Sequence, residues 1–368
     1  EPILSPTYGS LIYQEQCMEI ASIIAGFSLE EADKLRKAIG KKLPEEMEKV
    51  KKKFIRGAKK QGYDKKVADE IFSWIEKFAN YGFNKAHAIA YALNAYTTAY
   101  CKAHHMLEYY ASLLKFSKNK QEPQKEVDNI INDMKLFDLR IKPPMLSEGN
   151  IDFKIVGRDI VFGLKYIKGI GASSLENIGS IKDSQSFNEF VKNCLTNSIN
   201  KKVVFGLIDS GATRHFGLTR TDQKLLYQLV LSLSKKENGI FLDLLNNGDT
   251  REIQDIIANE VMEGAQKTRK PKLSLLLEEY ENNNKNDSRK HILDMEVQYL
   301  GASISGHVTD LHDRSQVSAN CIDTTMAFPN ENMTLGVLIK EIKETKIKNG
   351  KNKGKKMAFL VVEDASYR

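Results

Sequence analysis

Cysteine is scarce in this chain. Cys17, Cys101, Cys194 and Cys321 are scattered with no metal-ligand spacing between them. That pattern excludes a cysteine-built zinc site and a disulfide framework, and it fits a reducing, cytosolic compartment. No signal peptide is visible. Long apolar runs are also missing: the stretch 88–101 is short and is interrupted by Asn94, Thr97 and Thr98, so it cannot span a bilayer. There is no Asp-x-Asp cluster. The chain opens on Glu1 rather than methionine, which reads as a fragment or a processed product.

What is present is a soluble globular composition, 41% hydrophobic and 28% charged over 368 residues, enough for two to four domains. The net charge of +7 is mild overall but local in origin. Residues 34–66 hold fourteen Lys or Arg against four acids, Glu45, Glu46, Glu48 and Asp64. Such a block can concentrate polyanions; it equally fits a solvated helix face.

The first 118 residues predict helices. Gln14–Ile24 has helical apolar spacing and is stopped by Gly26. Ser28 and Glu31 form a capping box for a helix over 29–39, which Gly40 ends. Pro44, followed by Glu45 and Glu46, starts a third helix with Met47, Val50, Phe54 and Ala58 as its buried stripe. After Gly62, Asp64 caps a fourth with Val67, Ile71, Ile75 and Phe78 inward. A last helix is predicted from about Asn84 to Leu114. A polar linker (117–126), a short helix (125–137) and a proline-bearing extended piece (141–153) follow. Residues 160–235 and 235–290 read helical, with a spacer at 282–287. Thr334–Ile342 and Met357–Val362 are β-rich, and between them six lysines fill 346–356 with no acid. Two strands alone make a marginal sheet, so this end reads as truncated.

Three stretches carry a resemblance. They are Thr7-Tyr-Gly-Ser-Leu-Ile-Tyr-Gln-Glu-Gln16, then Ala25-Gly-Phe-Ser-Leu-Glu-Glu-Ala-Asp-Lys-Leu-Arg-Lys-Ala-Ile-Gly-Lys-Lys42, then Phe78-Ala-Asn-Tyr-Gly-Phe-Asn-Lys-Ala-His-Ala-Ile-Ala-Tyr-Ala-Leu93. In this order and spacing they resemble the fingers of a bacterial DNA polymerase III alpha subunit, of the C family. The residues agree with it physically. Arg offers a fork of donors to phosphate oxygens and Lys a movable point charge. Helix starts favour anions.

The resemblance implies that Arg36, Lys37, Lys41 and Lys42 meet the triphosphate of an incoming nucleotide, with Asn84, Lys85 and His87 beside nucleotide and template. Lys37 departs from the family's second arginine, and Ala86 and Ala88 stand where serines are common. Alanines 88, 92, 95 and 99 keep one side of that helix thin, for close approach or for packing. Tyr81, Phe83 and Tyr91 could stack on bases or serve as core. His104 and His105 read as structural.

Downstream, Phe162–Ser174 resembles a helix-hairpin-helix, whose glycines let backbone N–H groups approach phosphate. Lys165, Lys168, Gly169 and Gly171 are its implied DNA contacts. Residues 200–212 resemble a second hairpin, with Lys201 and Lys202. Gly169-Ile-Gly171 is no dinucleotide fingerprint, because Ser174 occupies the third glycine position. Asp152 lies in the connector and is not catalytic. Lys272-Leu-Ser-Leu-Leu276 stands where the family carries its sliding-clamp peptide, with Lys272 and Leu276 replacing the usual glutamine and aromatic. The segment 296–307 and the strands from Met333 resemble the lead-in and first strands of an OB-type β barrel.

The expected architecture is therefore mainly α: fingers (1–118), a tandem helix-hairpin-helix domain (119–265), a clamp segment and spacer (266–290), a connector (291–332) and the start of an OB barrel (333–368). The resemblance implies part of a cytoplasmic replicative polymerase, of bacterial or phage origin. Its implied partners are primer–template DNA, deoxynucleoside triphosphates, a palm-bearing segment or subunit, and a sliding clamp. No catalytic or metal-binding residue is expected here; Mg2+ is expected on palm aspartates outside this chain. The alternative is a non-catalytic DNA-binding or clamp-tethering module derived from such a polymerase.

Overall fold

The computed structural model describes residues 2–41, 44–78, 82–283 and 286–367. Its contacts gather into two compact units, residues 1–104 and 105–368.

In the first unit, helices α1 (Gln14–Ala25), α2 (Leu29–Lys41), α3 (Pro44–Lys60) and α4 (Lys65–Phe78) start where their capping residues stand. The Ser28 amide donates to Glu31 Oε2 at 3.0 Å, and the Glu31 amide donates to Ser28 Oγ at 3.3 Å, which closes the capping box. The Lys66 amide donates to Asp64 Oδ1 at 2.8 Å.

Helix α2 runs through Gly40 to Lys41. A helical glycine costs only about 1 kcal/mol, less than the burial of Leu35, Ala38 and Ile39 returns. The core of this unit is Cys17, Ala21, Leu35, Phe54, Phe72 and Ile75, all fully buried. Phe54 packs against Phe27 and Phe72 with ring centroids 6.1 and 5.2 Å apart. On α4 the inward stripe is Ala68, Phe72 and Ile75, while Val67 is 45% exposed. Of the expected stripe, Ile75 is fully buried and Ile71 and Phe78 pack against the core, whereas Val67 faces out; Phe72, which meets Phe54, joins the stripe's centre.

Gly57 permits the tight seam between α3 and α1. A Cβ there would lie 2.1 Å from the Ala25 carbonyl oxygen. The long final helix is two. Helix α5 (Lys85–His104) ends at His105, whose φ of −135° and ψ of 53° leave helical space, and α6 (Met106–Ser117) begins the second unit.

In that unit α6 packs on α7 (Pro123–Lys135). A small sheet, absent from the sequence reading, follows: β1 (Arg140–Lys142), β2 (Lys154–Val156) and β3 (Asp159–Val161) in the order β1-β3-β2. Strand β1 pairs parallel with β3, and β2 pairs antiparallel with it. These strands are three residues each, too short for alternation to register.

The helices α8 (Ala172–Ile178), α9 (Phe187–Thr196), α10 (Lys201–Asp209), α11 (Arg220–Leu231) and α12 (Lys235–Asn246) carry the hairpins and their support. Phe162, Phe190, Val204, Leu207, Tyr227 and Phe241 fill the core between them. Helix α13 (Ile253–Ile256) widens into a π-turn over Ile257–Val261, and α14 (Lys270–Glu281) and α15 (Arg289–Leu300) follow. An antiparallel hairpin, β4 (Leu338–Lys346) with β5 (Lys356–Glu363), closes the chain, with a register shift between Ile339 and Glu341. The fold is mainly α, as expected.

Candidate nucleotide and nucleic-acid interface

The start of α5 is fixed by the opening motif. Tyr13 and Phe83 form a parallel bridge, and the Gln14 amide donates to the Phe83 carbonyl at 2.9 Å. Buried Gln16 organises the loop before α1: its Oε1 accepts from the Ile12 and Tyr13 amides at 2.9 Å each, and its Nε2 donates to Thr7 Oγ1 at 2.7 Å. Asn84 caps α5 by accepting from the His87 amide at 2.7 Å. Its Nδ2 donates to Glu15 Oε1 at 3.0 Å, and Glu15 Oε2 accepts from the Lys85 amide at 2.9 Å.

A carboxylate of the protein therefore sits on the positive end of α5. The Lys85 ammonium lies 6.0 Å from the Tyr13 ring. The His87 ring lies 5.6 Å from Phe83 and 4.4 Å from Tyr91. No residue of α5 is buried, and Tyr91, Tyr96 and Tyr100 are all exposed, as are alanines 92, 95 and 99, while Ala88 is half-buried.

Arg36 and Lys37 both reach Asp33, Arg36 Nη2 at 2.7 Å from Oδ1 and Lys37 Nζ at 2.7 Å from Oδ2. Hydrogen bonds first from Lys37 and then from Arg36 hold the Asp33 carboxyl below its ordinary range. Lys41 closes α2; Lys42 and Tyr81 lie outside the described residues.

In the second unit Lys165 is also engaged. Its Nζ lies 2.5 Å from Asp152 Oδ1, and the Tyr166 hydroxyl donates to the same oxygen at 2.9 Å. Burial opposes ionisation of Asp152, but these two donors outweigh it and hold the carboxyl low. Lys168 is exposed and its amide donates to the Tyr299 carbonyl at 2.9 Å, which pins the turn.

Gly169 has φ of +93°, and nothing lies within 4 Å of a Cβ built on it or on Gly171. Ile170 between them is 7% exposed and anchors the hairpin. The outer side of this turn is thus bare backbone, the shape that lets N–H groups meet phosphate. At the second hairpin Asn200 caps α10 by accepting from the Lys202 amide at 2.8 Å. Lys201 and Lys202 are exposed, and Lys201 Nζ lies 4.9 Å from the Phe205 ring.

The clamp-like stretch lies within α14. Leu273 is 1% exposed and belongs to the core, Leu276 is half-buried and packed against it, and Leu275 is 65% exposed. Lys272 faces solvent and Ser274 is half-buried. Among the described residues no group of three or more His, Cys, Asp or Glu side chains is placed to hold a metal ion. None of their helices is long and apolar enough to cross a membrane. Cys17 is buried, and burial pushes its thiol up to about 12.

Sequence reasoning missed the carboxylates. Asp33, Glu15 and Asp152 each hold a group assigned to phosphate contact. Asp33 was legible as the i−3 and i−4 partner of Arg36 and Lys37. Glu15 was not, since its partners lie about seventy positions away.

The first unit is a four-helix core with a capped fifth helix, and the glycine turn between helical segments in the second has the form of a helix-hairpin-helix motif. Residues 138–223 match the family model of the helix-hairpin-helix motif, and residues 1–62 match that of the bacterial DNA polymerase III alpha subunit finger domain. The chain is 41% identical over 220 residues to the DNA polymerase III subunit alpha of Thermus aquaticus, covering 59% of this chain and 18% of that one. It is 35% identical over 343 residues to the Campylobacter jejuni subunit, covering 90% and 26%. It is 32% identical to the Deinococcus radiodurans subunit, covering 100% and 27%. The chain spans roughly a fifth to a quarter of these relatives' length. Along most of its own length it is homologous to a segment of DNA polymerase III alpha subunits.

Proposed function

We propose that this chain is the substrate-gripping portion of a replicative DNA polymerase that copies a template from deoxynucleoside triphosphates. The observation that carries the reading is the α5 corner. Asn84, Lys85 and His87 stand at the exposed start of a helix that buries nothing along its twenty residues. Such a helix suits a partner or substrate laid along it.

In this reading Arg36, Lys37, Lys41 and Lys42 neutralise the triphosphate as pyrophosphate leaves. Lys85 and His87 position the nucleotide, and Tyr91 offers an aromatic face. Lys168, Lys201, Lys202 and the Gly169–Gly171 backbone hold the primer–template duplex, and Lys165 supports that turn through Asp152. Magnesium ions on palm aspartates outside this chain would activate the primer hydroxyl. The residues here supply charge and position.

The domain boundaries at 118, 265, 290 and 332, and an OB-type barrel begun by β4 and β5, belong to the same proposal. A clamp-tethering module is the weaker reading, because Leu273, the first leucine of its peptide, lies in the core of α14. The test is primer extension. The purified chain is expected to bind primer–template without extending it, and to extend it once joined to a palm-bearing segment. Extension by the chain alone, or none by the joined protein, overturns the proposal.

A further inference from the structure

Helix α3 carries a second cationic surface that none of the motifs claims. Lys49, Lys52, Lys53, Arg56 and Lys60 recur at i, i+3, i+4, i+7 and i+11, so they share one face. The opposite face buries Met47, Phe54 and Ala58. All five cations are exposed. They line an open groove of about 620 Å³ whose floor is Ala25, Gly26, Phe27 and Gly57, and Glu31 is the one acid among its described lining residues.

The floor exists because Gly57 brings the α3 backbone against the Ala25 carbonyl. Lys53 meets Glu31 and lies 5.9 Å from the buried Phe27 ring. Lys49 pairs with Glu46 at 2.8 Å and Lys52 with Glu48 at 3.6 Å. Arg56 and Lys60 make no ion pair among the described residues.

We infer that this groove binds the phosphate backbone of a nucleic-acid strand, apart from the nucleotide corner. Three observations point to an extended polyanion. The cations run from Lys49 to Lys60, eleven steps along the helix or roughly 16 Å at about 1.5 Å per residue, longer than one triphosphate. Of the five positive charges, Glu46, Glu48 and Glu31 each engage one, which leaves Arg56 and Lys60 as charge no carboxylate takes up among the described residues. Among the described residues that line the groove the one aromatic ring is Phe27, which is buried and cannot stack on a base, so contact is with the backbone and independent of sequence. Arg36 and Lys37 lie on another side of α2 from Glu31, by 140° and 240° of helix rotation at about 100° per residue. The inference rests on charge and shape, and stands whether or not the polymerase reading does.

The experiment uses the full chain and the triple variant Lys52→Gln, Arg56→Gln, Lys60→Gln, with fluorescence anisotropy on a labelled 20-mer, as single strand and as duplex, across 50–200 mM NaCl. All three side chains are exposed, so melting should be unchanged. Expected is a slope of log affinity against log salt shallower by about 2–3, since each phosphate contact contributes ~0.7 for single strands and ~0.9 for duplex. The strand form showing the change identifies the occupant. Lys52→Arg, Lys60→Arg should keep the wild-type slope. Unchanged slope and affinity on both forms overturn the inference. Lys168→Gln, Lys201→Gln, Lys202→Gln is the separate arm for the hairpins, so failure of one surface is distinguishable from failure of the other.

Discussion

Asp33 Oδ1 lies 2.7 Å from Arg36 Nη2, and the same carboxylate takes Lys37 at 2.7 Å through its other oxygen. Two of the four cations proposed to meet a triphosphate are therefore held in place by one local anion. A phosphate group offers more charge and more acceptor oxygens than a carboxylate, so it can displace Asp33 at modest cost. Asp33→Asn should tighten nucleotide binding. The pair is solvent-exposed and screened, so the gain is modest: roughly a two- to fivefold lower Kd is expected in a fluorescent-nucleotide titration. A weakened Kd would mean that Asp33 positions the cations rather than competing for them.

Glu15 stabilises α5 from outside that helix. Glu15→Gln keeps the shape of the side chain and removes the charge at the helix start. A loss of ~0.5–2 kcal/mol is expected, read as a lower urea midpoint with an unchanged m-value. An unchanged midpoint would remove Glu15 as the anchor of the corner.

Much of this was legible in the sequence, and the rest was hidden for definite reasons. Helix starts at Gln14, Leu29, Pro44 and Lys65 follow from local capping, which needs only neighbours. The break at His105 was invisible because Cys101 to Leu107 has no glycine or proline to mark it. The β1–β3 pairing joins residues about twenty apart over three-residue strands. The positions of Arg36, Lys37 and Lys168 at surface-facing sites were legible. Their carboxylate partners, and the burial of Leu273 within the clamp-like stretch, depend on tertiary packing.

Gly57→Ala sets two effects against each other. Alanine gains up to ~1 kcal/mol of helix propensity. The added Cβ would sit 2.1 Å from the Ala25 carbonyl oxygen, which is backbone and cannot swing aside. Overpacking costs ~1–3 kcal/mol, so the clash should win and the melting temperature should fall. A rise would show that the α1–α3 seam relaxes freely.

Helix α14 separates stability from clamp contact. Leu273→Ala should cost ~2–4 kcal/mol by leaving a cavity, because Leu273 is 1% exposed. Leu275→Ala, at 65% exposure, should leave the urea midpoint unchanged. If α14 does meet a sliding clamp as a folded helix, Leu275→Ala should be the change that weakens the complex in a pull-down. The reverse pattern would mean that the segment unfolds to bind.

Glu363 ties the β4–β5 hairpin to its neighbours. It lies 3.0 Å from Lys340 Nζ and 3.3 Å from His307 Nε2, and Lys340 also lies 3.3 Å from Asp128 on α7. Burial raises the Glu363 carboxyl, but His307 and Lys340 outweigh it and hold it below the ordinary 4.5. A depressed carboxyl contributes stability at pH above 4.5 and loses it as pH falls through the lowered value. Glu363→Gln should therefore cost ~1–3 kcal/mol at neutral pH, and the gap to wild type should close in acid. A gap that stays constant with pH would place the effect in packing instead.

The most direct test of the central claim is the KM for nucleotide in a joined polymerase that carries these residues beside its palm. Arg36→Ala should raise that KM about tenfold or more, the equivalent of ~1.4 kcal/mol or more for a lost charge-assisted contact, and leave primer–template affinity unchanged. A KM equal to wild type would contradict the account, because α2 would then have no part in holding the triphosphate.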